Sequence, residues 1–495
     1  MAAMPIPRAL MRCAFLLTLL GLSASCGLYN VPHRPVQPER VSASTAHAPG
    51  AGFDLQFIES DDQGWFWNPE QAVSALSTVK TATAEGNTLV VLFIHGWHHS
   101  AACYDDNVEA FKRVLQRLHV ELDQKMYREA MPTVRVIGLY VGWRGRSLPG
   151  LIDYTTFWGR KSAARRVGEG DLQEFMARLQ RIYNDHSDGR VTDGKQKPFF
   201  GLVSIGHSFG GAVLLAATSR YFESQMQLAN PASGFLRTAP VIPTGSTAPT
   251  TSQSAKPAAI NPPLRGFGDM VVLVNPAVES AAYERINILS RGITYGSDQT
   301  PLLVTFSAQN DGARNSWFKA GRIAGEFFTN AAPVHDDRER ASLREALGVY
   351  NHGGSGITHS LTPIETQHLV SSQQDEAPDS QCTDKRPDTF EWWRWVDKPV
   401  SPDTPFPNDT INVKAADVRE LASFDFSQDA KYSDLRLLPA KPVTAHQPFM
   451  VVSVNEQIID GHTGIFSEPF MSFLTRYIGL TEAKRILLGT QASKR

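Results

Sequence analysis

The sequence is poor in the features that mark several functional classes. Its 48 Lys and Arg nearly balance 50 Asp and Glu, leaving a formal charge of −2. No basic excess exists to draw the chain to nucleic acid or an anionic surface. A glycine-rich phosphate loop, an internal repeat and the Cys/His spacing of a zinc site are all missing. Cysteine itself is scarce, with four in 495 residues. The apolar run near the start, residues 13–22, is too short to span a bilayer.

What is present begins with a segment separate from the fold. "MAAMPIPRALMRCAFLLTLLGLSASC" carries Arg8 and Arg12, then the apolar run, then small residues before Cys26. That is the layout of a secretory signal peptide over residues 1–26. Leu22-Ser23-Ala24-Ser25-Cys26 resembles the lipobox of bacterial lipoproteins. The resemblance implies lipidation of Cys26, membrane attachment through that lipid, and export to the cell envelope. Gly27, in place of a retaining aspartate, points to the outer membrane; cleavage by the ordinary signal peptidase would give a periplasmic protein instead. Residues 27–52 are rich in Pro, Ser and Ala and read as a flexible tether. With Cys26 lipidated, Cys103 and Cys382 would remain in an oxidising compartment, and their pairing stays open.

The rest, residues 53–495, alternates between two periodicities. "LVVLFIH" (89–95), "VRVIGLYVGW" (134–143), "FFGLVSIGH" (199–207), "MVVLVNPAV" (270–278), "PLLVTFSA" (301–308) and "FMVVSV" (449–454) are unbroken apolar runs. Such runs suit strands buried on both faces of a parallel sheet. Amphipathic segments such as "DDNVEAFKRVLQRLHVEL" and "EGDLQEFMARLQRIY" separate them, with apolar residues at helical spacing. The alternation predicts an α/β, doubly wound, mostly parallel sheet. "FDLQFIES", from residue 53, is expected to start it as an antiparallel strand. Residues 231–265, rich in Pro, Thr, Ser and Ala, read as a flexible insertion, and residues 370–447 as a partly ordered excursion over the core.

One short stretch concentrates the chemistry. Gly206-His207-Ser208-Phe209-Gly210 closes a buried strand and opens the amphipathic helix "GGAVLLAATSRYF". This is the setting of a nucleophile elbow, where small residues let the chain turn sharply and expose a serine. A serine hydroxyl needs a base and a stabiliser for the oxyanion. "LVVLFIHGWHHSA" offers the second: Gly96 permits close approach, so the N–H groups of Trp97 and Phe209 could meet a substrate oxygen. His95 and His98 are assigned no proton-transfer role.

The acid and the histidine should follow later strands. Asp311, just past "PLLVTFSA", is the candidate acid, with Glu279 past "MVVLVNPAV" as the alternative. His462, in the loop after "FMVVSV", is the candidate base, with His359 in "GGSGITHSLTP" as the alternative.

On these motifs, residues 85–480 resemble a serine α/β-hydrolase: His-Gly oxyanion loop, Gly-His-Ser-Phe-Gly elbow, and Ser208, Asp311, His462 in that order. The resemblance implies an eight-stranded mostly parallel sheet and an acyl-enzyme mechanism that needs no metal or organic cofactor. The stretch from "FIHGWHHSA" through "YVGW" to residues 161–183 is also similar to a group of bacterial and fungal hydrolases of unknown substrate. A carboxylic ester, small or lipid-like, is the expected substrate. A thioesterase or amidase would use the same triad, and a non-catalytic surface lipoprotein could be built on the same scaffold. "FEWWRWV" (390–396) reads as aromatic burial of the excursion rather than an acyl site, and Trp65 and Trp67 read as core.

Overall fold

Residues 88–94, TLVVLFI, form a strand in which every residue is buried. Side chains alternate across a strand, so this one feeds two cores. The structure, a computed structural model, describes residues 31–36, 39–42, 52–123, 133–146, 156–186, 191–192, 195–196, 198–230, 258–259, 263–291, 293–319, 337–351, 356–364, 418–432 and 434–492. Among the described residues the main sheet has eleven strands. They are β1 (Glu39–Ser42), β2 (Gly52–Ser60), β3 (Thr88–Ile94), β4 (Arg135–Trp143), β5 (Phe200–His207) and β6 (Met270–Val274). Then come β7 (Leu303–Ala308), β8 (His359–Pro363), β9 (Ala430–Tyr432), β10 (Leu435–Pro439) and β11 (Phe449–Val454).

Their order is β1-β2-β4-β3-β5-β6-β7-β11-β8-β10-β9. From β2 to β8 in that order every neighbouring pair is parallel. At the margins β1, β10 and β9 add antiparallel pairs. The chain is therefore α/β with a mostly parallel sheet, as its alternation of buried runs and amphipathic segments requires.

Helices cover both faces. The longer ones among the described residues are α1 (Pro69–Glu85), α2 (Asp106–Leu122), α3 (Phe157–Glu169), α4 (Asp171–His186), α5 (Phe209–Ala229), α6 (Ala281–Arg291) and α7 (Glu468–Ala492). Leu89, Val91 and Phe93 join Phe111 and Leu115 of α2 and Phe470 and Tyr477 of α7 in one core. Val90, Leu92 and Ile94 join Val79 of α1, Val167 of α3, Phe175 of α4 and Val213 of α5 in the other.

Several expectations need correction. β2 is parallel to β4, not antiparallel. It is followed by the helix α1, and a helical crossover, unlike a hairpin, returns the chain in the same direction. The antiparallel partner of β2 is β1, so the eight expected strands are extended to eleven. β1 lies within the stretch 27–52 expected to be a free tether. Upstream of it, the N–H groups of His33 and Arg34 donate to the Glu59 carboxylate, and the Arg34 side chain donates to Ala101 O. His33 and Arg34 thus dock on the fold through polar groups that the composition of the stretch did not advertise.

The later half of the 370–447 stretch lengthens the sheet through β9 and β10 rather than lying over the core. Trp65 and Trp67 are 67% and 38% exposed, on a turn past β2, not core. Residues 1–30 with Cys26, most of 231–265, and 390–396 lie outside the described residues. No described helix is long and apolar enough to cross a membrane.

The sheet order also locates a crevice. From β3 the chain crosses to β4 on one side, whereas β5 lies on the other. Connections diverge at the carboxyl ends of β3 and β5, the point where open α/β sheets bind ligands.

Candidate active site

Ser208 sits at that point, between the last residue of β5 and the first of α5. Its backbone has φ 55° and ψ −120°, a conformation a non-glycine residue keeps only when its surroundings enforce it. They do: Ser208 N–H donates to Val274 O at 3.0 Å, and Ser208 O accepts from Gly211 and Ala277 N–H at 3.0 Å each. The glycines of the motif are close-approach residues. A methyl on Gly206 would lie 2.6 Å from Gly210 O, and one on Gly210 would collide with the Ile94 carbonyl. Strand β3 and the head of α5 could not then pack as they do.

Two hydrogen bonds define the centre. His462 Nε2 lies 2.7 Å from Ser208 Oγ. His462 Nδ1 lies 2.7 Å from Asp311 Oδ2. Because a carboxylate only accepts, Nδ1 carries the proton and Nε2 presents its lone pair to the hydroxyl. Asp311 follows β7 and His462 follows β11, so three strand ends deliver the three side chains.

Asp311 is fully buried and has a second partner, the Arg314 guanidinium. Arg314 Nε donates to Oδ2 at 2.5 Å and Arg314 N to Oδ1 at 3.1 Å. Burial by itself would raise the Asp311 pKa, but His462 and Arg314 outweigh it and hold the carboxyl well below its ordinary range. The remaining Arg314 nitrogens donate to Leu347 O at 3.0 Å and Ser307 Oγ at 2.6 Å. Arg314 lies three residues past Asp311, but nothing in the sequence pattern distinguished it from a surface arginine.

On its other side, Gly96 passes against Ser208. A methyl at 96 would stand 2.8 Å from Ser208 Cβ. This proximity brings Trp97, the next residue, to the serine, and Phe209 opens α5, where N–H groups lack an intrahelical acceptor. Trp97, Phe157 and Phe209 form an aromatic group, with Phe157 5.3 Å and 5.0 Å from the other two rings.

The loop is braced from behind by His95. Its Nδ1 bonds Gly96 O at 2.9 Å and its Nε2 accepts from Trp143 N–H at 3.0 Å. Burial drives the His95 pKa down to about 4, consistent with a neutral strut. Further along, Asp105 accepts from His99 Nδ1 at 3.0 Å and Ser100 N–H at 2.8 Å, and caps α2 through Asn107 N–H.

Both alternatives are placed elsewhere. The Glu279 carboxylate is ion-paired to Lys161. His359 is buried in β8, with Nε2 2.9 Å from Ser427 O and Nδ1 2.8 Å from Thr358 Oγ1. Cys103 is disulfide-bonded, and its partner lies outside the described residues. Among the described residues no group of three or more His, Cys, Asp or Glu is placed to hold a metal ion.

Residues that sequence reasoning overlooked surround His462. His207 Nε2 donates to His462 O at 3.0 Å, and Asn275 Nδ2 donates to the same oxygen at 2.9 Å. Burial pushes the His207 pKa well down, with His462 adding to the effect, which favours the neutral ring. Asn275 has φ 47°, one of few positive values on a non-glycine residue, but sequence alone offers no signal for that.

Compared with protein-family models, curated proteins and solved structures, the chain matches none.

Proposed function

We propose that the chain is a serine hydrolase of the α/β-hydrolase type, cleaving a carboxylic ester through an acyl-serine intermediate. The observation that carries this is the Ser208–His462–Asp311 relay, with both hydrogen bonds at 2.7 Å. Supporting it are the strained serine on a strand-to-helix turn and the glycine loop after β3 that crosses it.

Ser208 Oγ attacks the ester carbonyl carbon while its proton moves to His462 Nε2. The carbonyl oxygen, now negative, is met by the N–H groups of Trp97 and Phe209; one such donor contributes about 3 kcal/mol. The C–O bond to the alcohol breaks, the alcohol leaves with the imidazolium proton, and the acyl group stays on Ser208. Water then repeats the sequence and releases the acid. Asp311 remains ionised throughout, fixing the tautomer of His462 and stabilising its charged form. The chemistry requires no metal or organic cofactor. The same proposal puts this activity at the cell envelope on a lipid anchor, a reading supported by the signal-like start and Cys26.

A fluorophosphonate probe tests the reading. We expect stoichiometric labelling at Ser208 in the folded protein and none in Ser208→Ala or His462→Ala. Asp311→Asn should lower turnover by about 10⁴-fold, while Glu279→Gln changes it by less than a few fold. A panel of ester, thioester and amide substrates ranks the acyl bonds. Folded wild-type protein that resists the probe would sink the proposal and favour a binding scaffold.

A further inference from the structure

His462 lies in a turn between β11 and α7, two residues before a short 3-10 helix, Gly464–Phe466. Loops are the mobile part of a fold, and both 2.7 Å bonds of the relay depend on this one holding still. Its backbone is gripped from three neighbouring strand ends. His207, closing β5, donates from Nε2 to His462 O at 3.0 Å. Asn275, just past β6, donates from Nδ2 to His462 O at 2.9 Å and to Gly461 O at 3.1 Å. Asn310, just past β7, accepts from Gly461 N–H at 2.8 Å.

Asn275 is the centre of this grip. It is fully buried, and its backbone N–H donates to Phe306 O at 2.8 Å. Its side-chain Oδ1 accepts from Ala308 N–H at 2.8 Å, so one amide joins the end of β7 to the loop carrying the histidine. Its φ of 47° aims the side chain there, and asparagine is among the few residues that tolerate that region. We propose that Asn275, assisted by His207, is a positioning residue that sets the distance between His462 and Ser208. The inference rests on the hydrolase reading above. A displacement near 1 Å at a reacting centre can cost about 100-fold in rate.

The rival account gives Asn275 only a structural task, the turn after β6 and its bond to Ala308. Two substitutions separate them. Asn275→Asp keeps the shape, the tolerance of positive φ and the acceptor for Ala308, but at pH 9, once ionised, lacks both donors. Asn275→Gly keeps only the backbone freedom. Fluorophosphonate labelling rates and kcat and KM for a soluble aryl ester are measured on the full chain at pH 9. Positioning predicts that both variants label roughly 10- to 100-fold more slowly, with kcat reduced and KM unchanged.

Asn275→Asp labelling within about twofold of wild type would overturn the proposal. His207 supplies the check if the Asn275 variants melt early. His207→Leu should slow labelling, and His207→Gln, whose amide nitrogen can replace Nε2, should recover it; equal rates in the two would also overturn the proposal. Wild-type protein that does not label removes the hydrolase reading together with this one. Normal wild-type labelling with unaffected variants removes this one alone.

Discussion

Asp311 and Arg314 form an ion pair that solvent does not reach, with side-chain exposures of 0% and 1%. The same carboxylate oxygen, Oδ2, also receives His462 Nδ1. A guanidinium and an imidazole N–H therefore converge on one anion. The arginine keeps the carboxylate ionised and fixes its direction, leaving the histidine to share its charge. A buried pair of this kind does not by itself stabilise a fold, because both ions lose their hydration; breaking it is costly because one charge is left behind.

Arg314→Met should therefore lower stability by about 3–5 kcal/mol, read as a drop in the urea midpoint at pH 7. A pH dependence follows. A carboxylate held below its unfolded value contributes stability that is present above that value and lost as pH falls through the folded one. Without Arg314 the depression of Asp311 is smaller, so acid unfolding of the variant should begin at higher pH than in wild type. Superimposable acid-unfolding curves would remove Arg314 from this role.

Much of the site could be read in the sequence because its parts are local. The elbow is five consecutive residues, and its requirement for glycine shows directly in their identity. Asp311 and His462 were legible for a different reason: each follows an apolar run, and parallel strands deliver their carboxyl ends to one edge of the sheet. What stayed hidden depends on contact between distant segments. Arg314 stays hidden because its partners Ser307 and Leu347 meet it only in the fold. Asn275 lies in a run already read as strand, and its partners Gly461 and His462 are more than 180 positions on. The direction of β2 failed likewise, since the composition of "FDLQFIES" does not show which neighbour pairs with it.

Gly96 yields a prediction about the oxyanion side. A methyl there would meet Ser208 Cβ at 2.8 Å and His207 Nδ1 at 3.1 Å, neither of which is the end of a flexible chain. The loop after β3 must retreat, carrying Trp97 N–H with it. We expect Gly96→Ala to fold normally by circular dichroism yet lose about 10²-fold in kcat, the effect of removing one oxyanion donor. An alanine variant with wild-type turnover would show that residue 97 does not serve the oxyanion.

The opposite, amino edge of the sheet holds a second buried charge cluster that should govern stability without touching catalysis. Arg485 lies between Asp269, at 2.6 Å, and Glu482, at 3.3 Å, and also donates to Phe200 O. Asp269 is further held by Tyr183 OH at 2.5 Å and Leu202 N–H at 2.7 Å. Glu482 is the weaker partner: burial first, then the nearby Asp269, raises its pKa from 4.5 to about 8, with Arg485 opposing in part. The folded state thus keeps a proton on Glu482 that the unfolded chain gives up near pH 4.5. Stability from this group is present below that pH and falls as pH rises toward 8. Glu482→Gln stays neutral and can still accept from Arg485, so the fall should vanish. Melting temperatures measured at pH 5, 7 and 9 should show the variant gaining steadily on wild type, with fluorophosphonate labelling of Ser208 unchanged. Parallel melting curves across that range would mean that Glu482 is already ionised in the fold, its charge carried by Arg485.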